Sequence, residues 1–193
     1  MKNLQKIVGI MAATQQGVIG KRNLLPWDYK EELEYFRHTT RNHNIIMGRK
    51  TYDSIPRNIS FKIKPIVFSR TLQNSDDKVI FVKSLYEYFN VNNLFNKSKK
   101  TFMIGGAEIA HLFLKHGLIS SFILTRIHCL YQGDTYLNLK YFKGWKETVL
   151  KSYPKYTIVR LTNLGTNFVP ECRISESKHH EPLHDQVVSI KKI

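Results

Sequence analysis

The residues best suited to chemistry lie in one stretch, Leu24-Leu25-Pro26-Trp27-Asp28-Tyr29-Lys30-Glu31-Glu32-Leu33-Glu34-Tyr35-Phe36. Proline disfavours helix at the residue before it, so Leu24 to Trp27 reads as extended. Asp28 is expected to N-cap the helix that follows, with Glu31 as its capping-box partner, and the helix is expected to run to about His43. On a wheel at about 100° per residue, Tyr29, Leu33, Phe36 and Thr40 form one stripe. Glu32 lies about 60° from the centre of that stripe, whereas Glu31 and Glu34 lie about 140–160° away. Two of the three carboxylates therefore point at water. Glu32 runs along the edge of the apolar face, roofed by Trp27, and a carboxylate there needs a partner. Taken alone, the turn also reads as a solvated, Glu-rich start that suits the helix dipole.

A second kind of chemistry sits at two glycine turns. Gly48-Arg49-Lys50-Thr51 and Gly105-Gly106-Ala107-Glu108 each follow a strand-like apolar run and open a helical one. Glycine lets backbone approach a phosphate closely, and the helix start offers free N–H groups. Two such turns on neighbouring strands suit the two phosphates of a dinucleotide. Arg49, Lys50 and Arg70 add cations for a further phosphate, which favours a 2′-phosphorylated dinucleotide. Each turn alone also reads as a tight-turn glycine beside solvated cations. The G-x-G-x-x-G fingerprint is absent, which argues against the common Rossmann site.

The elements that must position these groups follow from the apolar pattern. Ile7 to Ala13, Asn44 to Gly48, Pro65 to Arg70, Val79 to Lys83, Thr101 to Ile104 and Ser121 to Ile127 are short continuous apolar runs, the pattern of strands buried on both faces. Thr14 to Leu25, with Gly17 and Gly20, reads as a functional loop. Thr51 is expected to N-cap a helical turn from Tyr52 to Ile55. Helices are expected from Ser84 to about Phe89 and from the Gly105-Gly106 turn to about His116, and a turn at Gly133-Asp134-Thr135. Trp145 to Tyr153 and Tyr156 to Leu161 read as late strands, and Gln186 to Ile193 as a last edge strand after a long polar insertion, 163–186. Strands alternating with helices imply an α/β fold, a central, mostly parallel, twisted sheet of about eight strands with an antiparallel C-terminal strand and about four flanking helices. Ligands in such sheets sit outside the carboxyl ends of the strands.

At 193 residues, 42% hydrophobic and 12% aromatic, the chain is expected to form a single domain over 1–193 with a real core. Cys129 and Cys172 have neither metal-ligand spacing nor a disulfide framework, so no metal is expected. There is no signal-like or membrane-spanning run, and the chain is expected to be cytoplasmic. The net charge of +15, from 30 basic and 15 acidic residues, fits an anionic small ligand or nucleic acid. The cations are scattered, and charge alone supports the second class.

Ile10-Met11-Ala12, Val18-Ile19-Gly20, Leu25-Pro26-Trp27, Glu32-Leu33, Phe36, Ile46-Met47-Gly48-Arg49-Lys50-Thr51, Ile55-Pro56, Ser69-Arg70, Ile104-Gly105-Gly106-Ala107 and Thr125 resemble dihydrofolate reductase in order and nearly in spacing, over residues 7 to about 153. The resemblance implies an oxidoreductase of one-carbon metabolism that reduces 7,8-dihydrofolate to tetrahydrofolate with NADPH, a monomeric antifolate target with no nucleic-acid or membrane partner. By position, Glu32 resembles the acidic residue of the pterin pocket. One carboxylate can accept two hydrogen bonds from a 2-amino-pyrimidine edge. Thr125 would bridge that carboxylate and the amine, and Trp27 would reach the carboxylate through water. Ile10, Leu33, Phe36 and Ile55 would form apolar walls, with Met11, Ala12 and Ile104 also against the substrate. Ala12, Ile19 and Gly20 would face the nicotinamide. Gly48, Arg49, Lys50 and Thr51 would hold the cofactor on one side. Ser69, Arg70 and Lys83 would hold it on another, and Gly105, Gly106, Ala107, Glu108 and Ile109 on a third. Gly105-Gly106 resembles the family's cis peptide. By the same resemblance hydride passes to pterin C6, and N5 takes a proton from water admitted by the Thr14–Leu25 loop.

The chain departs from the family in places. Ile63 stands where an arginine usually clamps the folate α-carboxylate, with Lys62 and Lys64 beside it as the substitutes and Arg57 as a fallback. Lysine lacks the bidentate fork. Ala107 replaces a third glycine, and Ala110 stands where an aromatic is common. Two rivals stand beside this reading: the related riboflavin-pathway pyrimidine reductase, which has no need of Leu25-Pro26-Trp27 with Glu32, and a basic nucleic-acid-binding module.

Overall fold

The computed structural model describes residues 6–56, 61–71 and 75–165. In chain order it contains β1 (Ile7–Thr14), β2 (Val18–Gly20), α1 (Lys30–Thr40), β3 (Asn44–Gly48), α2 (Arg49–Ser54), β4 (Ile66–Phe68) and β5 (Ile80–Val82). Then come α3 (Leu85–Val91), β6 (Thr101–Met103), α4 (Ala107–Lys115), β7 (Ile119–Ile127), β8 (Thr135–Tyr136), β9 (Lys146–Ser152) and β10 (Tyr156–Thr162).

Eight strands form one sheet in the order β5-β4-β3-β6-β1-β7-β10-β9. The pairings from β5 through to β7 are all parallel, and β10 runs antiparallel to both β7 and β9. This is the α/β architecture that the alternation of strands and helices implies. Both faces are covered, and β3 shows how: Ile45 and Met47 enter one apolar cluster while Ile46 enters the other, because successive strand residues point to opposite faces. The crossing of the chain back to β6 places it between β3 and β1, so the carboxyl ends of β3 and β6 are neighbours. No helix among the described residues is long and apolar enough to cross a membrane.

Four local expectations are corrected. Asp28 does not cap α1; the helix starts at Lys30 with Tyr29 as an extended N-cap and no side-chain cap bond. The chain stays extended past Asp28 and buries Trp27 to 6% exposure, and burying an indole outweighs a cap of about 1 kcal/mol. The same helix ends at Thr40, earlier than His43, because Asn42 turns the chain at φ 62, a conformation asparagine tolerates. Thr51 is no cap either: α2 starts directly after β3 with Gly48 as N-cap, and the Thr51 carbonyl accepts from the Ser54 hydroxyl at 2.7 Å. Finally, the stretch from Thr14 to Leu25 is not all loop. It holds β2, which pairs antiparallel with β8, and the Arg22 N–H donates to the Asp134 carboxylate at 2.8 Å. The partner lies more than a hundred residues away, so local periodicity carries no trace of it. The expected edge strand 186–193 and most of the insertion 163–186 lie outside the described residues, as does Arg57.

Asn44, at the start of β3, is fully buried. Its amide donates to the Asn96 carbonyl at 2.9 Å, and its side-chain oxygen accepts the Asn96 N–H at 3.1 Å. This reciprocal pair ties the segment before β6 to the neighbouring strand. Asn44→Ala strands both Asn96 groups and is expected to cost about 2–3 kcal/mol, read as a lower urea midpoint at unchanged slope. A loss below about 0.5 kcal/mol, the range of ordinary surface changes, would contradict this role.

Candidate active site

Glu32 is 6% exposed on α1, while Glu31 and Glu34 face solvent. The strand β7 supplies its partner. Thr125 lies opposite Ala12 of β1, and its hydroxyl donates to Glu32 Oε1 at 2.9 Å. Among the described residues Thr125 is the one hydrogen-bond partner of this carboxylate, so Oε2 is left for something else. The surroundings are apolar: Ile10, Trp27 and Ile158 are buried in the cluster that Phe36 packs against. Burial therefore pushes the Glu32 carboxyl above the usual range, and the Thr125 hydrogen bond pulls it part of the way back. Trp27 packs edge-on to Tyr131 at 5.6 Å. Its indole N–H is buried with no partner among the described residues.

A cleft of about 1330 Å³ opens in front of this carboxylate. Ile10, Met11 and Ala12 line it from the end of β1, and Leu33 and Phe36 from α1. Ile55 and Ile104 complete the apolar wall, and Ile19 and Gly20 close one side. Leu33, Leu24 and Leu25 are 36%, 69% and 51% exposed, and all three line the cleft; exposed apolar surface gathered in a concave site suits a flat apolar ligand. Thr125 and Trp27 are not part of the cleft lining; Thr125 reaches Glu32 from behind the wall.

The second arm of the cleft runs over the ends of β3, β4 and β6. Gly48, Arg49, Lys50 and Thr51 line it, as do Ser69 and Arg70. Gly106, Ala107, Glu108 and Ile109 form the third part of the same wall. The Gly48 N–H donates to the Gly105 carbonyl at 2.7 Å, which locks the two turns together. The Gly105–Gly106 peptide is cis, and Gly105 sits at φ 108, where a side chain is strained. Gly48 and Gly106 occupy the N-cap positions of α2 and α4 with no side chain to bond the first turn, so first-turn N–H groups remain free. A Cβ at Gly106 would stand 3.3 Å from the Thr51 hydroxyl, and one at Gly48 3.1 Å from Ile109. Missing side chains thus keep the cradle open, which fits a dinucleotide phosphate lying against backbone. Arg49 pairs with Asp53 at 2.7 Å and Arg70 with Glu108 at 3.5 Å. Both pairs are exposed, so they are weak and readily exchanged for a stronger anion.

Two expected residues lie elsewhere. Lys64 extends toward Asp77 at 3.5 Å and lines a separate depression. Lys83 follows β5, its backbone N–H capped by Glu87, away from the cleft wall. Lys62 does line the cleft. The wall also includes Arg37, Arg41 and His43, which sequence reasoning overlooked. The signal was present: Leu33, Arg37 and Arg41 are four residues apart and so share one helix edge.

The family model described as dihydrofolate reductase matches residues 6–162. A dihydrofolate reductase of Ureaplasma parvum is 35% identical over 68% of this chain and 81% of its own length. One from Staphylococcus haemolyticus is 31% identical over 76% of this chain and 85% of its own. One from Lactococcus lactis is 33% identical over 67% and 76%.

The raised Glu32 pKa has a consequence for stability. In the unfolded chain the carboxyl ionises at an ordinary pH, but in the fold it holds its proton to a higher one. Its contribution to stability is therefore fully present below the unfolded pKa and is lost as pH rises through the folded pKa. Glu32→Gln is expected to unfold at a higher temperature than the parent at neutral pH, with the gap closing on acidification. A gap that is constant across pH, or that widens toward acid, would contradict the buried, raised carboxyl.

Proposed function

We propose that NADPH is the pyridine nucleotide with which this chain, an oxidoreductase of the dihydrofolate reductase family, reduces 7,8-dihydrofolate to 5,6,7,8-tetrahydrofolate. The observation that carries the reading is the buried Glu32 carboxylate with one oxygen committed to Thr125 and the other open toward an apolar cleft. A 2-amino-pyrimidine edge offers two parallel N–H donors to such a group, from ring nitrogen and exocyclic amine. Thr125 both holds the carboxylate and offers an oxygen to the same amine. Ile10, Leu33, Phe36, Ile55 and Ile104 enclose the pterin, and Met11 and Ala12 carry that wall toward the nicotinamide. Trp27 keeps an indole donor for a water beside the carboxylate.

When bound, the nicotinamide supplies the hydride. Ala12, Ile19 and Gly20 would flank it, and the Gly48-Arg49-Lys50-Thr51 and Gly105-Gly106-Ala107 turns, with Glu108 and Ile109, would hold the phosphates. Ser69 and Arg70, with Arg49 and Lys50, would take the 2′-phosphate, which is the basis for NADPH over NADH. Glu32 orients the pterin and holds a negative charge near the N5 that must gain a proton. In a site that excludes water both effects strengthen. The exposed thiol of Cys129 is in keeping with the cytoplasm, where we place the protein as a monomer.

Dihydrofolate-dependent oxidation of NADPH by the purified chain tests the activity. Glu32→Gln is expected to keep its fold and lose roughly 10²–10⁴-fold in turnover at neutral pH, because the amide supplies neither the charge nor two acceptors. Turnover within about threefold of the parent would remove Glu32 from the mechanism. Arg49→Ala with Arg70→Ala is expected to raise the apparent KM for NADPH far more than that for NADH. An equal rise for both would show that these residues attract anions without reading the 2′-phosphate.

A further inference from the structure

His111 lies outside the cleft wall, yet it holds a segment on which the cleft depends. It sits on α4 one turn beyond Ala107, along the helix edge whose first turn lines the dinucleotide arm. Its Nε2 accepts the Asn138 N–H at 2.9 Å, and its ring stacks on Tyr141 with centroids 5.6 Å apart. Asn138 in turn caps the short 3₁₀ helix Leu139–Phe142, its side-chain oxygen accepting the Lys140 N–H at 3.1 Å. One acceptor on α4 thus fixes the start of the segment that follows β8.

The chain carries that hold to the cleft in two short steps. Leu137, next to Asn138, is buried, and its N–H donates to the Gly17 carbonyl at 2.7 Å. Gly17, at φ 83, closes the turn after β1. Its N–H donates to the Thr14 carbonyl at 2.9 Å, and the Val18 N–H donates to the Thr14 hydroxyl at 3.1 Å. A Cβ on Gly17 would collide with the Leu137 carbonyl, so the two segments approach as closely as bare backbone allows. Directly after this turn β2 pairs with β8, and Ile19 and Gly20 of β2 close one side of the cleft. Among these linking groups only the acceptor on His111 titrates near neutral pH. Its lone pair exists while the ring is neutral, and a protonated ring sets N–H against N–H.

We propose that His111 is a positioning residue whose neutral ring holds β2 in place beside the nicotinamide, and that taking up a proton releases it. The place of the nicotinamide rests on the dihydrofolate reductase reading; the hold on β2 does not. The 3₁₀ helix brings Tyr141 against the ring, with Lys140 next to it, and α4 itself carries Glu108 and Lys115 three and four residues away. The turn Gln15-Gln16-Gly17 between β1 and β2 carries no charge. Burial, and not any of these groups, lowers the proton affinity of the ring from the ordinary histidine value. The hold is therefore complete at neutral pH and is lost as pH falls through that lowered value. Asn138 is exposed, so water takes over its N–H when the acceptor is simply removed, and the loss is modest. Facing N–H groups on a protonated ring add a push that removal lacks.

Amide hydrogen exchange in the free protein tests the hold without any turnover. The protection factors of Asn138 and Leu137 are expected to fall together by roughly three- to tenfold as His111 is protonated, over a range below about pH 6.5. His111→Gln keeps an acceptor that does not titrate, so it should retain protection at neutral pH and show no acid step. His111→Ala should show lowered protection at both ends of the range. For the reaction, the ratio of the KM for NADPH in the parent to that in His111→Gln is expected to rise by about threefold toward acid, a ratio in which the titration of Glu32, common to both, cancels. An acid step that persists in His111→Gln, or a loss of protection at Asn138 that leaves Leu137 unchanged, would overturn the proposal. Exchange as expected with a KM ratio flat across pH would confine His111 to folding and overturn its positioning role. If neither protein oxidises NADPH with dihydrofolate, the reductase reading fails and the nicotinamide part falls with it, while exchange still decides the hold on β2.

Discussion

An ionised carboxylate removed from water loses its hydration, and the loss is tolerable only with compensating hydrogen bonds or charge. Glu32 has one such bond, from Thr125, and is otherwise among apolar side chains. The site is therefore built half-satisfied. A ligand that brings two N–H donors to the carboxylate repairs a deficit that exists in the free protein, and a ligand without them leaves it in place. Discrimination by unpaired buried groups is stronger than discrimination by apolar fit. Everything around Glu32 maintains this condition: Trp27 and Phe36 keep bulk water off, and pairing of β1 with β7 sets Thr125 at the right height.

The rest of the cleft works by a different rule. Its two ends are cationic and exposed, so their contacts are weak one by one and screened by salt. They gain selectivity from the backbone between them. The Gly48–Gly105 hydrogen bond holds two glycine turns on adjacent strands, an adjacency that exists because β6 returns between β3 and β1. A sheet wound in another order would part these turns and leave two ordinary loops. The buried centre thus offers an unmet hydrogen-bond acceptor, while topology builds the paired glycine turns.

Much of this was legible in the sequence. The parallel strands were readable because they are buried on both faces and so appear as unbroken apolar runs. Glu32 stood out because helical geometry puts it beside the Leu33–Phe36 face while its two neighbours point away. The boundaries of α1 and α2 were less legible: a capping residue such as Asp28 or Thr51 contributes about 1 kcal/mol, and tertiary burial of Trp27 or direct continuation from β3 overrides it. The pairing of β2 with β8 left no local signal, since each is too short to show a period. Lys64 illustrates the limit of reading charge by position. A lysine two residues from its strand has the reach to choose its partner, and Asp77, thirteen residues on and across β4, offers one.

The central claim is that the open oxygen of an ionised Glu32 meets the amino-pyrimidine edge. A 2,4-diaminopyrimidine antifolate makes the most direct probe, because it must carry a ring proton to present two donors to a carboxylate. Calorimetric titration of the protein with this ligand, above the pKa of the free ring and in two buffers of different ionisation enthalpy, reads the protons taken up on binding. The account predicts net proton uptake by the parent protein, with uptake lost and affinity greatly reduced in Glu32→Gln. Tight binding without proton uptake, or equal uptake and affinity in the variant, would contradict it.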